Sequence, residues 1–381
     1  MTTFRLLISG GGTGGHLFPA IAAAQELRRR LPDSEVLFLG TGRKIDTLGL
    51  ASHGFVGASI ESFGFKGMSL AGKCKSLWAV PKSIYQAMSH IRRFRPDVVL
   101  GVGGYVTGPV LLAAKLYAIP TVIHEQNSVP GMANRLLGRL VTRICLSLPE
   151  SENYFPAKKC VLTGNPVRHA IAHLAEERRR QTTTDVPSRP TLLVLGGSQG
   201  ARALNQLVAD AFCEAAKEEL AAVRLIHQTG ADDEAAIKKR YAEAGIEAEV
   251  AAFFTDMANI YSQADCCLSR AGATTLAELA VLGLPAILVP YPYAADNHQE
   301  RNGNYYAQGG GAWMFRQDKL NSETLAGYIL SLSLDAARLW AMAKAMRGLA
   351  RPQAAEAIVD ICLKAAGPAA GRWSEQTEQK K

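Results

Sequence analysis

The chain has 381 residues, of which 48% are hydrophobic and 20% are charged, so it is too long for one ordinary core and we expect two folded domains. It has no run of 18 or more apolar residues, which excludes an ordinary transmembrane helix. Its seven cysteines form no C-x-x-C pair, which argues against a zinc site and for a reducing compartment.

The net charge of +8 is unevenly distributed along the chain. Residues 1–164 carry 19 Lys and Arg against 9 Asp and Glu, whereas residues 165–381 carry 23 against 25. This excess in the first half indicates either a solubilising surface or a surface that binds a polyanion, such as a nucleic acid or the anionic face of a membrane.

The first strand-to-helix turn, Gly10–His16, contains five glycines ahead of an Ala-rich helical stretch at 19–30. Glycines let the backbone turn tightly and bring N–H groups close to an anionic ligand. Three of them match the G-x-G-x-x-G pattern of dinucleotide sites. The second predicted strand ends at Leu39–Gly42 without the acid that would bind a ribose. Arg43 and Lys44 could instead bind a 2′-phosphate, so an NADP-linked oxidoreductase stays an alternative.

Short apolar runs alternate with helical patterns through the first half, which predicts a doubly wound α/β domain. After the opening strand, the predicted strands are 36–39, 98–102 and 120–123, and the predicted helices are 75–95, 109–117 and 131–140.

The glycine turn recurs in altered form at Gly196–Gly200, between a strand that begins at Thr191 and a predicted helix at 201–216. We therefore expect two similar α/β domains in tandem, joined near residues 163–168. The further predicted strands are 223–228, 248–254, 266–269 and 285–290, and a long helical pattern follows at 335–366 with a break at Pro352.

Polar residues of the first half follow the predicted strands, at the edge where open parallel sheets bind ligands. Gly103–Pro109 follows one strand and His124–Asn127 follows the next, and His16 and Tyr105 end neighbouring strands on that edge. A hydrogen-bonded loop without a ligand remains an alternative for His124–Asn127.

In the second half, Ser269–Glu278 closes a strand and opens a helix, and its small residues let the chain pass close to a ligand. Glu278 is expected one turn into that helix. Its carboxylate could accept two hydrogen bonds from a ribose diol, or it could be a helix-start acid stabilised by the dipole. The polar loop Pro290–Gln299 lies on the same edge.

Six motifs occur together and in order, and they closely resemble the MurG family of peptidoglycan N-acetylglucosaminyltransferases over residues 5–365. The motifs are Gly11–Pro19, Gly103–Pro109, His124–Asn127, Gly164–Arg168, Gly196–Ala201 and the block 269–299. The resemblance implies the GT-B fold, an α/β architecture of two Rossmann-like doubly wound domains facing across a cleft. The implied parts are an N-terminal acceptor and membrane-facing domain at 1–165, a UDP-sugar-binding domain at 166–344, a C-terminal helix at about 345–367 that returns to the first domain, and a frayed tail at 368–381.

The resemblance implies UDP-N-acetylglucosamine as the donor. Ser198 would contact phosphate, Glu278 would hold the uridine ribose, and the backbone of Phe254 would read the uracil. The register leaves open whether His298 or Gln299 contacts the sugar. The implied donor-binding residues are Thr13, Gly14, Gly15, Asn127, Arg168, Ser198, Phe254, Ala273, Thr274, Thr275, Leu276, Ala277, Glu278 and Gln299.

The implied reaction is inverting: the 4-hydroxyl of the N-acetylmuramyl sugar of lipid I attacks the donor, UDP leaves, and a β(1→4) bond gives lipid II. Such an enzyme must orient the hydroxyl, remove its proton and stabilise the departing diphosphate. His16 is our candidate base, because an imidazole has an ordinary pKa of about 6.5. The other catalytic candidates are Tyr105, His124 and Glu125.

The resemblance also implies an acceptor site at which bare N–H groups of the first glycine turn hold the pyrophosphate of lipid I. Its residues would be Gly12, Gly104, Tyr105 and Asn134. The donor half carries no D-x-D signature, so we expect no metal and no cofactor.

Apolar residues mix with lysines in Phe63–Leu70 and Lys73–Trp78, which predicts a peripheral patch on the cytoplasmic face of the inner membrane, against anionic lipids. Cell-wall synthesis and division proteins are the implied protein partners, and nucleic acid is not. The alternative GT-B function is sugar transfer to diacylglycerol, but the motifs His124–Asn127 and Gly164–Arg168 favour lipid I.

Overall fold

The computed structural model describes residues 3–61, 70–180, 189–197 and 200–367. They belong to two compact units: the first runs up to Arg168 and resumes at Pro352, and the second is His169–Arg351. Over this described part of the chain, none of the helices combines the length and the apolar character that a membrane span requires.

The described residues of the first unit form a seven-stranded parallel sheet in the order β3-β2-β1-β4-β5-β6-β7. Its strands are β1 (Arg5–Gly10), β2 (Glu35–Gly40), β3 (Val56–Ser59), β4 (Val98–Gly103), β5 (Thr121–Glu125), β6 (Arg143–Leu146) and β7 (Cys160–Leu162). Its helices before residue 168 are α1 (Gly14–Arg30), α2 (Lys44–Ala51), α3 (Leu70–Phe94), α4 (Thr107–Leu116) and α5 (Met132–Leu137), with 3₁₀ turns at Pro149–Tyr154 and Ala157–Lys159.

The second unit contains a six-stranded parallel sheet among its described residues, in the order β10-β9-β8-β11-β12-β13. Its strands are β8 (Thr191–Leu195), β9 (Arg224–Gln228), β10 (Ala248–Ala251), β11 (Cys266–Ser269), β12 (Ala286–Leu288) and β13 (Ala312–Met314). Its helices are α6 (His169–Arg180), α7 (Arg202–Asp210), α8 (Lys217–Leu220), α9 (Glu234–Ala244), α10 (Met257–Gln263), α11 (Ala273–Leu282), α12 (His298–Gln308), α13 (Ser322–Ser333) and α14 (Ala336–Leu349), with a π-helical turn at Ala211–Ala215 and 3₁₀ turns at Ala295–Asn297 and Gln317–Lys319.

The six strands of the second sheet repeat the order of the first six strands of the other sheet. In both sheets the strand before a glycine turn, β1 or β8, lies in the interior with a crossover on either side. The prediction of two similar doubly wound α/β domains in tandem is therefore confirmed.

The central strands of each sheet are buried on both faces, as expected for parallel strands covered by helices. In β1, Leu6 and Ile8 pack in one core, whereas Leu7 packs in another on the opposite face. The first core includes Leu27 of α1, and the second includes Val110 of α4.

The C-terminal segment has the predicted break at Pro352 but differs in its bounds. Of the stretch at about 345–367 that was expected to return to the first domain, the part up to Leu349 belongs to α14 in the second unit, and a separate helix, α15 (Ala354–Ala366), belongs to the first. Proline cannot continue a helix ladder, and Pro352 lies in the gap. Ile358 of α15 packs in the core of the first unit, and Asp360 pairs with Arg30 at 2.5 Å.

Other predicted boundaries differ by a few residues. The first unit ends at Arg168 rather than at 165, and the helix expected from residue 19 begins at Gly14. The helix expected at 201–216 is α7 followed by the π-helical turn. The predicted tail at 368–381 lies outside the described residues.

Candidate active site

Three loops meet at one edge of the first sheet, because they follow the neighbouring strands β1, β4 and β5. These strands lie side by side in the sheet, and all are parallel, so their carboxyl ends share one edge. The edge carries the glycine turn with His16, the Gly103–Tyr105 loop, and the residues around Gln126.

The glycine turn at this edge is already bound by a side chain that the sequence did not indicate. The N–H of Gly12 donates to both carboxylate oxygens of Asp46 in α2, at 2.8 and 3.0 Å. Gly11 and Gly12 have φ values of +127° and +85°, and a Cβ on Gly11 would lie 2.9 Å from Asp46 Oδ1. The expectation of bare N–H groups is therefore wrong for Gly12, whose N–H is engaged by Asp46.

His16 lies in the first turn of α1, next to the backbone of β4. A Cβ on Gly103 would lie 2.9 Å from its Cε1 atom, so a glycine is required there for the ring to take this position. Its Nδ1 lies 3.2 Å from Oε1 of Gln126. Tyr105 follows the same strand and is half exposed, and Thr13 and Gly15 are exposed beside His16.

His124 and Glu125 were expected just beyond a strand, but they are its last two residues and both are buried. Burial is the main cause that lowers the pKa of His124 to about 4, so the ring is neutral at physiological pH. Its Nε2 lies 2.9 Å from Ser147 Oγ and 3.2 Å from the carbonyl oxygen of Gly164. These contacts give His124 a structural role and weaken its candidacy as the base.

Glu125 is held by two asparagines. Its Oε1 accepts from the backbone N–H of Asn127 at 3.0 Å and from the Asn127 amide at 3.4 Å, and its Oε2 accepts from Asn134 Nδ2 at 2.8 Å. Burial raises the pKa of Glu125, and the donors from Asn127 and Asn134 oppose that rise. The carboxyl group therefore positions two candidate binding residues.

The second glycine turn passes close to the loop after β9. Gly197 and Gly200 have φ values of +88° and +75°, and a Cβ on Gly200 would lie 2.7 Å from the carbonyl oxygen of Thr229. Ser198, the predicted phosphate contact, lies outside the described residues. The turn leads into α7.

Phe254 lies after β10, and its backbone N–H donates to Oε1 of Gln228 at 3.2 Å. This internal bond occupies the N–H of the residue expected to read a uracil edge. Gln228 ends β9 and is buried, so it fixes the position of that backbone.

The first turn of α11 begins at Ala273, after Gly272, and supplies the backbone of the predicted segment Ala273–Ala277. Helix N-termini favour anions. Glu278 lies in the second turn rather than the first, so the alternative of a helix-start acid does not apply. Its buried carboxylate accepts from the Tyr261 hydroxyl at 3.0 Å.

Arg270 is a residue that the sequence analysis did not select, although it directly follows β11 on the ligand edge. Its guanidinium is buried and donates to the carbonyl oxygens of Val289 and Pro290 at 3.0 and 3.2 Å and to Gln317 at 2.7 Å. It lies over the ring of Tyr291 at 5.7 Å. Arg270 therefore supports the loop that leads to Gln299.

The same loop is held by His298 and Gln299, the two candidates for the contact with the donor sugar. Gln299 Oε1 accepts from the Tyr291 N–H at 2.9 Å, and His298 Nδ1 lies 2.8 Å from the carbonyl oxygen of Ala295. Both side chains thus hold the loop, and the sugar contact stays a prediction for either.

Two further sets of predicted residues lie elsewhere. Arg168 is the last residue of the first unit, and its guanidinium lies 5.1 Å from the ring centre of Phe18 in α1.

The predicted patch at Phe63–Leu70 and Lys73–Trp78 lies outside the described part of the chain, which excludes residues 62–69 and the side chains of 70–79.

Comparison with known proteins agrees with this arrangement. The glycosyltransferase family 28 N-terminal domain matches residues 6–146, and the C-terminal domain of the same family matches residues 191–358. A crystal structure of MurG from Acinetobacter baumannii is 31% identical, covers 95% of this chain and 99% of its own, and superimposes with a TM-score of 0.74. The fold is therefore of the GT-B class.

Two curated relatives carry the same name. The protein from Desulfotalea psychrophila is 54% identical over 94% of this chain and 96% of its own length, and that from Syntrophotalea carbinolica is 43% identical over 95% and 99%. Each is named UDP-N-acetylglucosamine–N-acetylmuramyl-(pentapeptide) pyrophosphoryl-undecaprenol N-acetylglucosamine transferase. The chain therefore belongs to the MurG family of glycosyltransferase family 28.

Proposed function

We propose that this protein transfers N-acetylglucosamine from UDP-N-acetylglucosamine to the 4-hydroxyl of the N-acetylmuramyl residue of lipid I, giving lipid II and UDP. The observation that carries the proposal is the 54% identity to a relative so named, which extends over both units. The edges of the two sheets also carry the types of group that such a reaction needs.

The uridine diphosphate of the donor is assigned to the edge of the second sheet, and Thr13, Gly14, Gly15 and Asn127 of the first unit stay predicted donor contacts. The start of α11 suits a diphosphate, because a helix N-terminus stabilises negative charge. It would bind the charge that grows on UDP as it leaves. In the second glycine turn the Gly196 and Gly200 N–H groups donate to the carbonyl oxygens of Gln228 and Gly197. Glu278 offers a carboxylate for the ribose hydroxyls, and Tyr261 holds it in place.

The acceptor is assigned to the edge of the first sheet, around His16 and Tyr105. The hydroxyl attacks the anomeric carbon from the face opposite UDP, so the new C–O bond forms as the bond to the diphosphate breaks, with inversion. His16 takes the hydroxyl proton and becomes an imidazolium. Because Asp46 occupies the Gly12 N–H, the pyrophosphate of lipid I would use other donors of this edge or displace that carboxylate.

The first unit is also assigned to the cytoplasmic membrane surface. Helices α3, α4 and α5 pack as neighbours on one side of the sheet, and they expose apolar side chains between basic ones. The exposed apolar residues are Tyr85, Leu116, Met132, Leu136 and Leu140, and the basic ones on the same helices or the adjoining turn include Lys82, Lys115, Arg135 and Arg139. Such a mixed surface favours anionic lipid head groups.

The membrane assignment is tested with sedimented vesicles that contain an anionic phospholipid, against vesicles of a zwitterionic lipid. Binding to the anionic vesicles should weaken as salt rises, because exposed charges are screened. It should also weaken in the double variant with Trp78→Ser and Lys75→Glu. Unchanged binding in that variant would contradict the prediction that this patch binds the membrane.

The reaction is tested by incubating the protein with labelled UDP-N-acetylglucosamine and a short-chain lipid I analogue. We expect one UDP released for each disaccharide formed, with a β linkage in the NMR spectrum of the product. Diacylglycerol serves as the competing acceptor, and thermal stabilisation by NADPH tests the oxidoreductase alternative. Transfer to diacylglycerol but not to the lipid I analogue would overturn the proposal.

A further inference from the structure

One amide side chain, that of Gln126, lies between the two histidines at the edge of the first sheet. Gln126 directly follows β5 and is 2% exposed. Its Nε2 lies 2.9 Å from the carbonyl oxygen of Val102 and 3.2 Å from Nδ1 of His124. Its Oε1 lies 3.2 Å from Nδ1 of His16. All of its polar atoms therefore face defined partners.

The orientation of the amide follows from Val102. A carbonyl oxygen can only accept, so the Gln126 atom that faces it must be the NH₂ group. His124 agrees with this orientation. Its Nε2 faces the carbonyl oxygen of Gly164 and therefore carries the proton, which leaves Nδ1 to accept from the NH₂ group of Gln126. The neutral state of His124 that burial enforces is the state that allows this acceptance.

We propose that Gln126 is a positioning residue that fixes the tautomer of His16. Since the amide oxygen has no proton, Nδ1 of His16 must donate to it, and the lone pair of the neutral ring then lies on Nε2. This inference rests on the proposed role of His16 as base. The proton of the attacking sugar hydroxyl goes to Nε2 of His16. The resulting imidazolium keeps its Nδ1–H hydrogen bond to Gln126.

The ring is restrained from a second direction by Gly103. A Cβ there would lie 2.9 Å from Cε1 and 3.1 Å from Nδ1 of His16, so the backbone of β4 supports the ring while Gln126 binds its Nδ1 edge. A bond that orients a histidine and sets its tautomer is the contribution of the third member of a Ser-His-Asp triad. Here the group is a neutral amide, so it supplies orientation without a compensating negative charge.

The test compares wild-type protein with Gln126→Met, which keeps the length of the side chain and removes the amide. Two-bond ¹⁵N–¹H correlation spectra of histidine-labelled protein report which ring nitrogen is protonated, and the signal missing in His16→Ala identifies His16. Spectra are recorded at about pH 8.5, where an ordinary imidazole with a pKa of about 6.5 is neutral. Ser147→Ala is the matched control, because it removes a hydrogen bond of His124 without touching Gln126.

We expect the Nδ1–H tautomer of His16 in the wild type and in Ser147→Ala, and its loss in Gln126→Met. Because a positioned general base contributes roughly 10²- to 10⁴-fold, we expect Gln126→Met to lower kcat about 10- to 100-fold while the donor KM changes by less than about threefold. An Nε2–H tautomer in wild-type protein would overturn the proposal even if Gln126→Met failed to fold. An unchanged tautomer and kcat in Gln126→Met would also overturn it.

The two proposals fail separately. If His16→Ala kept its kcat, His16 would not be the base, whatever its tautomer. If His16→Ala lost activity and Gln126→Met did not, the base role would stand and the positioning role of Gln126 would be wrong.

Discussion

The two units of this protein share one strand order, and we propose a different role for each sheet edge. Both place a glycine turn after the same strand of the sheet, but the polar groups at the two edges differ. At the first edge Gln126 bonds to both His16 and His124, and the second edge carries a buried carboxylate, Glu278, and a buried guanidinium, Arg270. A repeated fold thus supplies the positions of the loops, and the loop side chains determine what each edge does.

Among these substitutions, His16→Ala is expected to have the largest effect on activity. If His16 takes up the proton, kcat should fall by roughly 10²- to 10⁴-fold, since that is the usual rate contribution of a positioned general base. The donor KM should stay within a few-fold, because His16 is assigned to the acceptor. Steady-state kinetics with each substrate varied in turn would decide this, and a weakened donor KM with kcat preserved would refute the assignment.

Each unit also has a buried histidine among its described residues, His124 in the first unit and His227 in the second. Burial lowers the pKa of His124 to about 4 and that of His227 in the second unit to about 3. Since an unfolded histidine has a pKa of about 6.5, the unfolded chain binds protons first, so stability is lost as pH falls from 6.5 towards 4. For His124 the loss is on the order of 3 kcal/mol.

Urea denaturation at a series of pH values between 7 and 4 would measure this loss. Replacing His124 by Gln should remove part of the pH dependence, and replacing His227 should remove another part. The exposed His169 offers a control in His169→Gln. A midpoint that stays constant over this range in the wild type would contradict the buried neutral state of both rings.

The smallest effect is expected from Asp46→Asn. The amide oxygen of the asparagine can still accept from the Gly12 N–H, but the negative charge and the second acceptor oxygen are lost. The loss of one hydrogen bond costs about 1 kcal/mol. We expect a change of about threefold to tenfold in the acceptor KM. The donor KM should not change. An effect confined to the donor KM would show that the turn belongs to the donor.

The tandem fold could be predicted from the sequence because its signals are local. Apolar runs such as 98–102 and 266–269 report strands, and the glycine turns at Gly10 and Gly196 report the repeat. The sequence did not indicate the short strands β3, β6, β7 and β13. Three of them, β3, β7 and β13, lie at sheet edges and are only partly buried, so they need no continuous apolar run.

The candidate site could be predicted only in part. His16, Tyr105 and Glu278 were selected because each follows a strand or a glycine turn. Asp46 and Gln126 act through partners 34 and 110 residues away, and such pairing is set by the tertiary fold. The polar stretch His124–Asn127 predicts that His124 and Glu125 lie beyond the strand, whereas they are its last residues, and their hydrogen bonds offset the cost of burial.

The division of labour between the two edges is tested most directly by calorimetric titration of UDP-N-acetylglucosamine into the wild type, His16→Ala and Glu278→Ala. We predict that His16→Ala leaves the Kd within about twofold, whereas Glu278→Ala raises it about 10- to 100-fold, as expected when a hydrogen bond to a charged group worth about 1.5–3 kcal/mol is lost. Tyr261→Phe, which keeps the carboxylate, should fall between them. A Kd raised in His16→Ala and unchanged in Glu278→Ala would contradict the assignment of donor and acceptor to the two edges.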